Sequence, residues 1–477
     1  MDKIQDESSA DDYRGQARKI QKRLASVSPS FCLAKWLQVS LQLTTGRTQS
    51  CYHPAPHVIP KELLADNPGV LHNTPYKKIQ RAKMLAGKRP AECQYCWDVE
   101  DLGADYLSDR HFRSSESWAV DRFEEVQKLP WDADIVPSYI EVNFNQTCQL
   151  KCSYCAPHVS SAWMSEVKQH GPYPTRFGHN RLDWFEERGM IPIPDGQPNP
   201  YIEAFWKWWP QVVSKIRVFR MTGGEPLLDP NTYKIFEYLL EKPNPELTLS
   251  ITSNFSAKPP LMEKFLKYAK RMHEEKAIKD FQLFLSLDST GDRAEYIRHG
   301  LDFDYFMGNV QTFLEEIPSA NISFILTACN LAASSLKDTL AQFRELRLKY
   351  NTEWQRIHFD TPMLKAPEFL SLQILSKDFL RPVRDALEFA RGHAMGFDHD
   401  FSGFSGAEIA KLERLLAWME QDLPPDQLKG WRADFFFFVR EHDRRRGTNF
   451  LNTFPEMKDF LSLCEEAARD EKPYIHP

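Results

Sequence analysis

Cys148-Gln-Leu-Lys-Cys152-Ser-Tyr-Cys155 sets three thiols in one short stretch of a 477-residue chain. Three thiolates on one tight loop can hold three irons of a [4Fe–4S] cluster, because thiolate is the protein ligand those irons prefer. The fourth iron takes no ligand from the motif and is open to something else. The competing reading is a zinc site completed by His158, although zinc knuckles usually come as CxxC pairs. A second group comprises Cys32, Cys51 and the pair Cys93-Gln-Tyr-Cys96. Four thiolates can ligate every iron of a cluster or close a tetrahedral zinc site, and both readings stand. Of the nine cysteines, seven fall before position 156 in these two groups, a distribution that suits metal ligands better than a disulfide framework. Cys329 and Cys464 stand apart and read as small buried hydrophobes. His53, His57 and His72 show no paired spacing and read as hydrogen-bonded polar residues.

These thiols need elements to position them. Between 138 and 362, strand-like runs at Tyr139–Phe144, Ile216–Met221, Leu247–Thr252, Phe281–Leu287, Ile322–Leu326 and Arg356–Phe359 alternate with helical patterns at Tyr233–Leu240, Leu261–Met272 and Met307–Glu316. Such alternation predicts a parallel sheet with right-handed crossovers. The three-cysteine motif then lies on the loop leaving the first of these strands. Upstream, alternation from Trp36 to Leu43 predicts a strand, Thr44-Thr45-Gly46 a turn, and Arg47–Tyr52 a returning strand. That hairpin would bring Cys32 and Cys51 together. The crossover between Cys155 and Gly223 is far longer than the ~12–15 residues beyond which loops usually carry function. It holds Trp163, Trp184, Trp206, Trp208 and Trp209, so the stretch 156–215 is expected on the substrate side, with helix packing an equal alternative for the 206–209 run. Beyond about 376 the pattern is helical, clearest at Ala407–Met419, and Arg444-Arg445-Arg446 reads as a solvated helix end.

Composition narrows the class. With 42% hydrophobic and 26% charged residues and a net charge of -6, the chain is an ordinary globular one of two to four domains. No basic excess draws it to nucleic acid. No apolar run approaches the ~20 residues of a membrane span, and the charged N-terminus lacks a signal segment. A cytoplasmic protein without a membrane partner is expected.

The CxxxCxxC loop after a first strand resembles the hallmark of the radical S-adenosylmethionine (SAM) enzymes. Gly223-Gly224-Glu225-Pro226 at the end of the second strand is similar to that family's GGEP motif, which implies that Gly223, Gly224 and Glu225 bind the amino group of SAM's methionine. Glycine permits close backbone approach, and Glu225 offers an acceptor to an ammonium. Thr252-Ser253-Asn254 resembles a polar site reaching SAM, giving Ser253 and Asn254. Ser286-Leu287-Asp288 resembles an SxDG element near the ribose, with Ser289 where glycine is usual. The resemblance further implies Arg298, with Arg293 as rival, for the SAM carboxylate, and Tyr154 beside adenine. Cys32, Gly46, Cys51, Cys93 and Cys96 resemble an auxiliary-cluster "twitch" or shortened SPASM module, here preceding the core instead of following it.

The expectation is therefore an α/β chain. A polar arm occupies 1–27, a twitch-like cluster domain 28–134, a partial (β/α) barrel of radical SAM type 135–375 and a helical region 376–477. The resemblance implies a SAM-binding [4Fe–4S] cluster on Cys148, Cys152 and Cys155, reductive cleavage of SAM, and hydrogen abstraction from a substrate by the 5′-deoxyadenosyl radical. It also implies a second [4Fe–4S] cluster, an electron donor such as flavodoxin or ferredoxin, and a peptide or small-molecule substrate. An RNA-modifying enzyme and a non-catalytic iron–sulfur or zinc protein are the alternatives.

Overall fold

Runs of β-branched and aromatic residues with both faces apolar build parallel strands, because such strands are covered on both sides. Eleven form in the computed structural model, which describes residues 7–103, 105–194, 196–351, 353–396 and 400–476. They are β1 (Gln38–Gln42), β2 (Arg47–Gln49), β3 (His57–Val58), β4 (Tyr139–Asn143), β5 (Lys151–Cys152), β6 (Val218–Thr222), β7 (Asn244–Ser253), β8 (Ile278–Ser286), β9 (Arg298–His299), β10 (Asn321–Ile325) and β11 (Ile357–Asp360). The fold is α/β with mostly parallel pairing. The six strands foreseen between 138 and 362 are all present, with ends shifted by a few residues.

The chain forms two compact units. The first comprises 1–145, 192–251 and 271–281, and the second 146–191, 252–270 and 282–477. Both are assembled from separated stretches of sequence.

In the first unit the strand order is β7-β6-β4-β1-β2-β3. β1, β4, β6 and β7 run parallel, with Val39 opposite Ile140, Ile140 opposite Phe219, and Phe219 opposite Leu249. These four side chains are fully buried. β2 and β3 add antiparallel pairs at the β1 edge. The hairpin leading to Cys51 is thus hydrogen-bonded into the sheet of the first unit. β1 starts two residues later than its alternation suggests, because Leu33–Leu37 is a short helix. Leu33, Trp36 and Leu37 stand at helical spacing and enter an apolar cluster with Ile20, Leu24, Phe31 and Ile135. The N-terminal segment is a helix, Glu7–Val27, anchored by Ala17, Ile20 and Leu24. The first six residues of the expected arm lie outside the described ones.

In the second unit β11-β10-β8 run parallel, with Phe324 between Leu285 and Phe359. A separate two-stranded sheet joins β5 to β9. Helices follow at Leu380–Gly392, Gly406–Glu420, Pro425–Arg446 and Lys458–Ala468, as the pattern beyond 376 predicts. A buried Arg347–Glu408 pair at 2.5 Å ties Leu336–Tyr350 to Gly406–Glu420. Among the described residues no helix is long and apolar enough to cross a membrane.

Candidate functional site

The three-cysteine loop is pinned from several sides. Cys152 lies on β5, opposite Arg298 on β9. The amide of Ser153 donates to Ile297 O at 2.8 Å, and that of Cys155 to Cys152 O at 2.9 Å. Ser161 Oγ accepts from the Cys148 amide at 3.1 Å. Ser160 caps the following helix, Ser161–His170, and its hydroxyl also donates to Leu150 O at 2.9 Å. Trp163 donates its indole N–H to Cys152 O at 2.9 Å. Each bond fixes loop backbone, so the sulfurs are held without sharing those contacts.

Two donors reach sulfur. Arg298 Nη1 lies 3.5 Å from Cys152 Sγ, and Asn254 Nδ2 lies 3.7 Å from Cys148 Sγ. Arg298 belongs to a buried array. Its Nε stands 2.9 Å from Asp288 Oδ2 as an ion contact, without the alignment of a hydrogen bond, and Nη2 donates to Asp288 Oδ1 at 3.3 Å. Nη2 also donates to the Tyr154 hydroxyl, which in turn donates to Asp288 Oδ2 at 2.7 Å. The Thr327 amide completes the Asp288 shell at 2.8 Å. Burial would lower the Arg298 pKa, but Asp288 and Tyr154 hold it well above its ordinary value, so the guanidinium stays charged. Burial drives the Tyr154 phenol well above its usual range. Burial also pushes Cys155 up to about 12 and raises Cys152 against the opposing charge of Arg298.

Ser253 and Asn254 close β7. Ser253 Oγ accepts from the Phe255 amide at 2.8 Å, where Phe255 takes a φ of 53°. Ser286 ends β8, and the neighbouring Ser289 hydroxyl is buried against Ser335 at 2.6 Å. The rival Arg293 instead pairs with Glu456 at 3.0 Å. Thus Tyr154, Asn254, Asp288 and Arg298 are brought against the three cysteines in the second unit.

Gly223, Gly224 and Glu225 lie in the first unit, after β6. Gly223 has a φ of 128°, and a Cβ there would stand 2.4 Å from Asn143 Oδ1, so only glycine fits. That Asn143 oxygen is buried without a hydrogen-bond partner. Glu225 is fully buried and accepts from the Leu227 amide at 3.0 Å, starting the turn Pro226–Leu228.

A cleft of about 450 Å³ opens beside Tyr154 and Cys155, lined by His158, Phe177, His179, Trp184, Phe185 and Met190. Phe177 and Trp184 are 75% and 43% exposed. Burial lowers His158 to about 4 and His179 to about 3, so both are neutral at neutral pH. Of the tryptophans in the long crossover, Trp184 lines this cleft. Trp163 is fully buried, packed on Tyr173 with Arg446 above it. Trp206 is bound to Asn231 at 2.9 Å with Lys234 over its ring, and Trp208 and Trp209 are buried. For Trp206, Trp208 and Trp209 the packing alternative describes the structure, and Trp163 is likewise a packed core residue.

Arg445 and Arg446 are also buried, contrary to a solvated helix end; only Arg444 is exposed. Arg446 donates to Lys151 O at 2.9 Å and faces Glu166 at 3.7 Å, so the helical C-terminal region holds the cysteine loop. The triple-arginine run gave no signal for this, since its residues diverge only once the helix packs.

The other four cysteines line one small cavity, about 30 Å³, with Lys35, Arg110 and Arg113. Cys32 immediately precedes the helix Leu33–Leu37, Cys51 follows β2, Cys93 ends a turn and Cys96 sits in Gln94–Glu100. Burial pushes Cys93 up to about 12 and raises Cys51 and Cys96. His53 pairs with Asp109, His57 with Thr74, and His72 with Trp36 O, as polar residues rather than ligands. Cys329 and Cys464 are fully buried singletons. Among the described residues no group of three or more His, Cys, Asp or Glu converges on the point a single metal ion would occupy. The all-thiol donor sets of both groups are of the kind that ligates iron–sulfur clusters.

Comparison with known proteins bears on the second-unit site and its flanks. Residues 142–347 match the model of the Radical SAM superfamily. No curated protein matches the chain. Solved structures that match include the structure of TYW1 with a lysine-pyruvate adduct bound, at 15% identity over 50% of this chain and 70% of that one, with a TM-score of 0.26. The family model spans the three cysteines, the Gly-Gly-Glu-Pro turn and the Asp288–Arg298 array, and it implies a [4Fe–4S] cluster, SAM and an electron donor. The chain thus contains a radical SAM domain and is a radical SAM enzyme.

Proposed function

We propose that this enzyme abstracts a hydrogen atom from a peptide or small molecule, with Cys148, Cys152 and Cys155 holding the SAM-binding cluster and Cys32, Cys51, Cys93 and Cys96 a second one. The observation that carries the reading is the loop itself: three cysteines fixed by backbone bonds, with N–H donors on two of the sulfurs. When bound, the cluster and SAM supply the one-electron chemistry that yields the 5′-deoxyadenosyl radical.

The chain's residues bind and orient. Arg298 and Asn254 donate to sulfur, which stabilises negative charge there. Asp288 holds Arg298 and Tyr154 in place through its two oxygens. Glu225 is the carboxylate for the methionine ammonium, and the glycines before it let backbone approach closely. The aromatic cleft beside Cys155 receives the substrate and keeps water from it. Its aromatic lining suits a peptide side chain or other small organic group. A low-potential flavodoxin or ferredoxin is the electron donor by this reading, in the cytoplasm.

The test is incubation of reconstituted, reduced enzyme with SAM and detection of 5′-deoxyadenosine. Glu225→Ala should weaken SAM binding tenfold or more with iron retained, since a charge-assisted bond contributes about 1.5–3 kcal/mol. Unchanged affinity in a titration would place the ammonium elsewhere.

A further inference from the structure

We infer that Lys35 sets the reduction potential of the four-cysteine site, as the cationic end of a buried ion pair turned toward the thiols. This rests on the reading of Cys32, Cys51, Cys93 and Cys96 as cluster ligands.

Lys35 and Glu92 form an ion pair whose side chains are 2% and 7% exposed. The pair is oriented. Lys35 lines the cavity with the four cysteines, and Glu92 does not. Glu92 also accepts from the Tyr76 hydroxyl. The cavity wall also carries Arg110, paired with Glu100 at 2.8 Å, Arg113, paired with Glu116, and Asp109, bonded to His53 at 2.6 Å.

A purely structural clamp would need no such direction, and a buried pair adds little net stability over well-packed apolar residues. Its electrostatic consequence does depend on direction. When a cluster ligated by four thiolates accepts one electron from a low-potential donor, its charge becomes more negative by one. A cation at the cavity wall, in a medium of low dielectric, favours that state, and the carboxylate behind it opposes it from farther away.

The test uses the full-length chain with Cys148, Cys152 and Cys155 replaced by Ala, reconstituted with iron and sulfide and titrated with dithionite under electron paramagnetic resonance. Lys35→Met/Glu92→Gln, which removes both charges, should disfavour reduction at least tenfold, a 59 mV fall for a one-electron couple. Glu92→Gln alone should shift the potential upward, and Lys35→Arg should keep the parent value. The opposite signs are a signature that a packing role would not produce, and Glu92→Gln reads the effect even if the double variant does not fold. A cluster present with an unmoved potential in these variants overturns the role of Lys35 alone. No iron bound by the parent protein overturns the cluster reading as well.

Discussion

The two cysteine groups use the same side chain in opposite settings. The three-cysteine loop borders an open cleft of about 450 Å³, and donors reach two of its sulfurs from Arg298 and Asn254. The four-cysteine group encloses about 30 Å³, lined also by Lys35, Arg110, Arg113 and Asp109. On the proposed assignment, three thiolates beside open space suit a site that binds a further molecule, and four around an enclosed space suit one that holds charge.

The sharpest way to break this comparison is to delete each set. With both clusters reconstituted the chain should carry about eight irons, four per site. Replacing Cys148, Cys152 and Cys155 by Ala should abolish 5′-deoxyadenosine and retain about half the iron. Replacing Cys32, Cys51, Cys93 and Cys96 should also remove about half, while SAM binding survives. Iron analysis with product chromatography checks both, and one zinc with no iron in the triple variant would defeat the auxiliary-cluster assignment.

A second experiment targets the array behind the open site. Arg298→Leu leaves the Asp288 carboxylate buried without its cation, at a cost of about 3–5 kcal/mol. Arg298→Leu/Asp288→Asn should recover part of this loss in denaturant unfolding. No recovery would mean that packing, not pairing, fixes Arg298.

Trp184 provides the next distinction. As an exposed wall of the cleft it should be replaceable by Ala at about 0.5 kcal/mol or less of stability. Trp184→Ala should lower product formation with substrate while sparing SAM cleavage; Trp163→Ala should instead lower the melting temperature. Equal effects on both readouts would remove the cleft from the substrate side.

A further test is pH. Burial lowers His57, His111, His158 and His442 to about 4 and His179 to about 3, against an unfolded value near 6.5. Between those values the unfolded chain binds more protons, so stability is present above about pH 6.5 and declines as pH falls toward 4. The unfolding midpoint should drop from pH 7 to pH 5, less steeply in His179→Phe. A flat profile would show these imidazoles to be solvated.

The radical SAM domain was legible in residue types and short spacings: three cysteines in one loop and a Gly-Gly-Glu-Pro turn downstream. The strands were legible as well, because apolar runs of β-branched residues report burial locally. Trp36 misled, since Leu33, Trp36 and Leu37 satisfy a helical face as well as an alternating one. The side chains of the crossover tryptophans could not be read from sequence, because burial of an aromatic depends on what packs against it. Arg446 was invisible for the same reason: its value lies in reaching Lys151 O across nearly three hundred positions. Sequence alone determined which atoms could bind metal, because ligand chemistry is a property of the side chain. The tertiary structure decided which cysteine group is open and which enclosed, and that Lys35 faces one of them, because burial and the direction of a field exist only once distant segments pack.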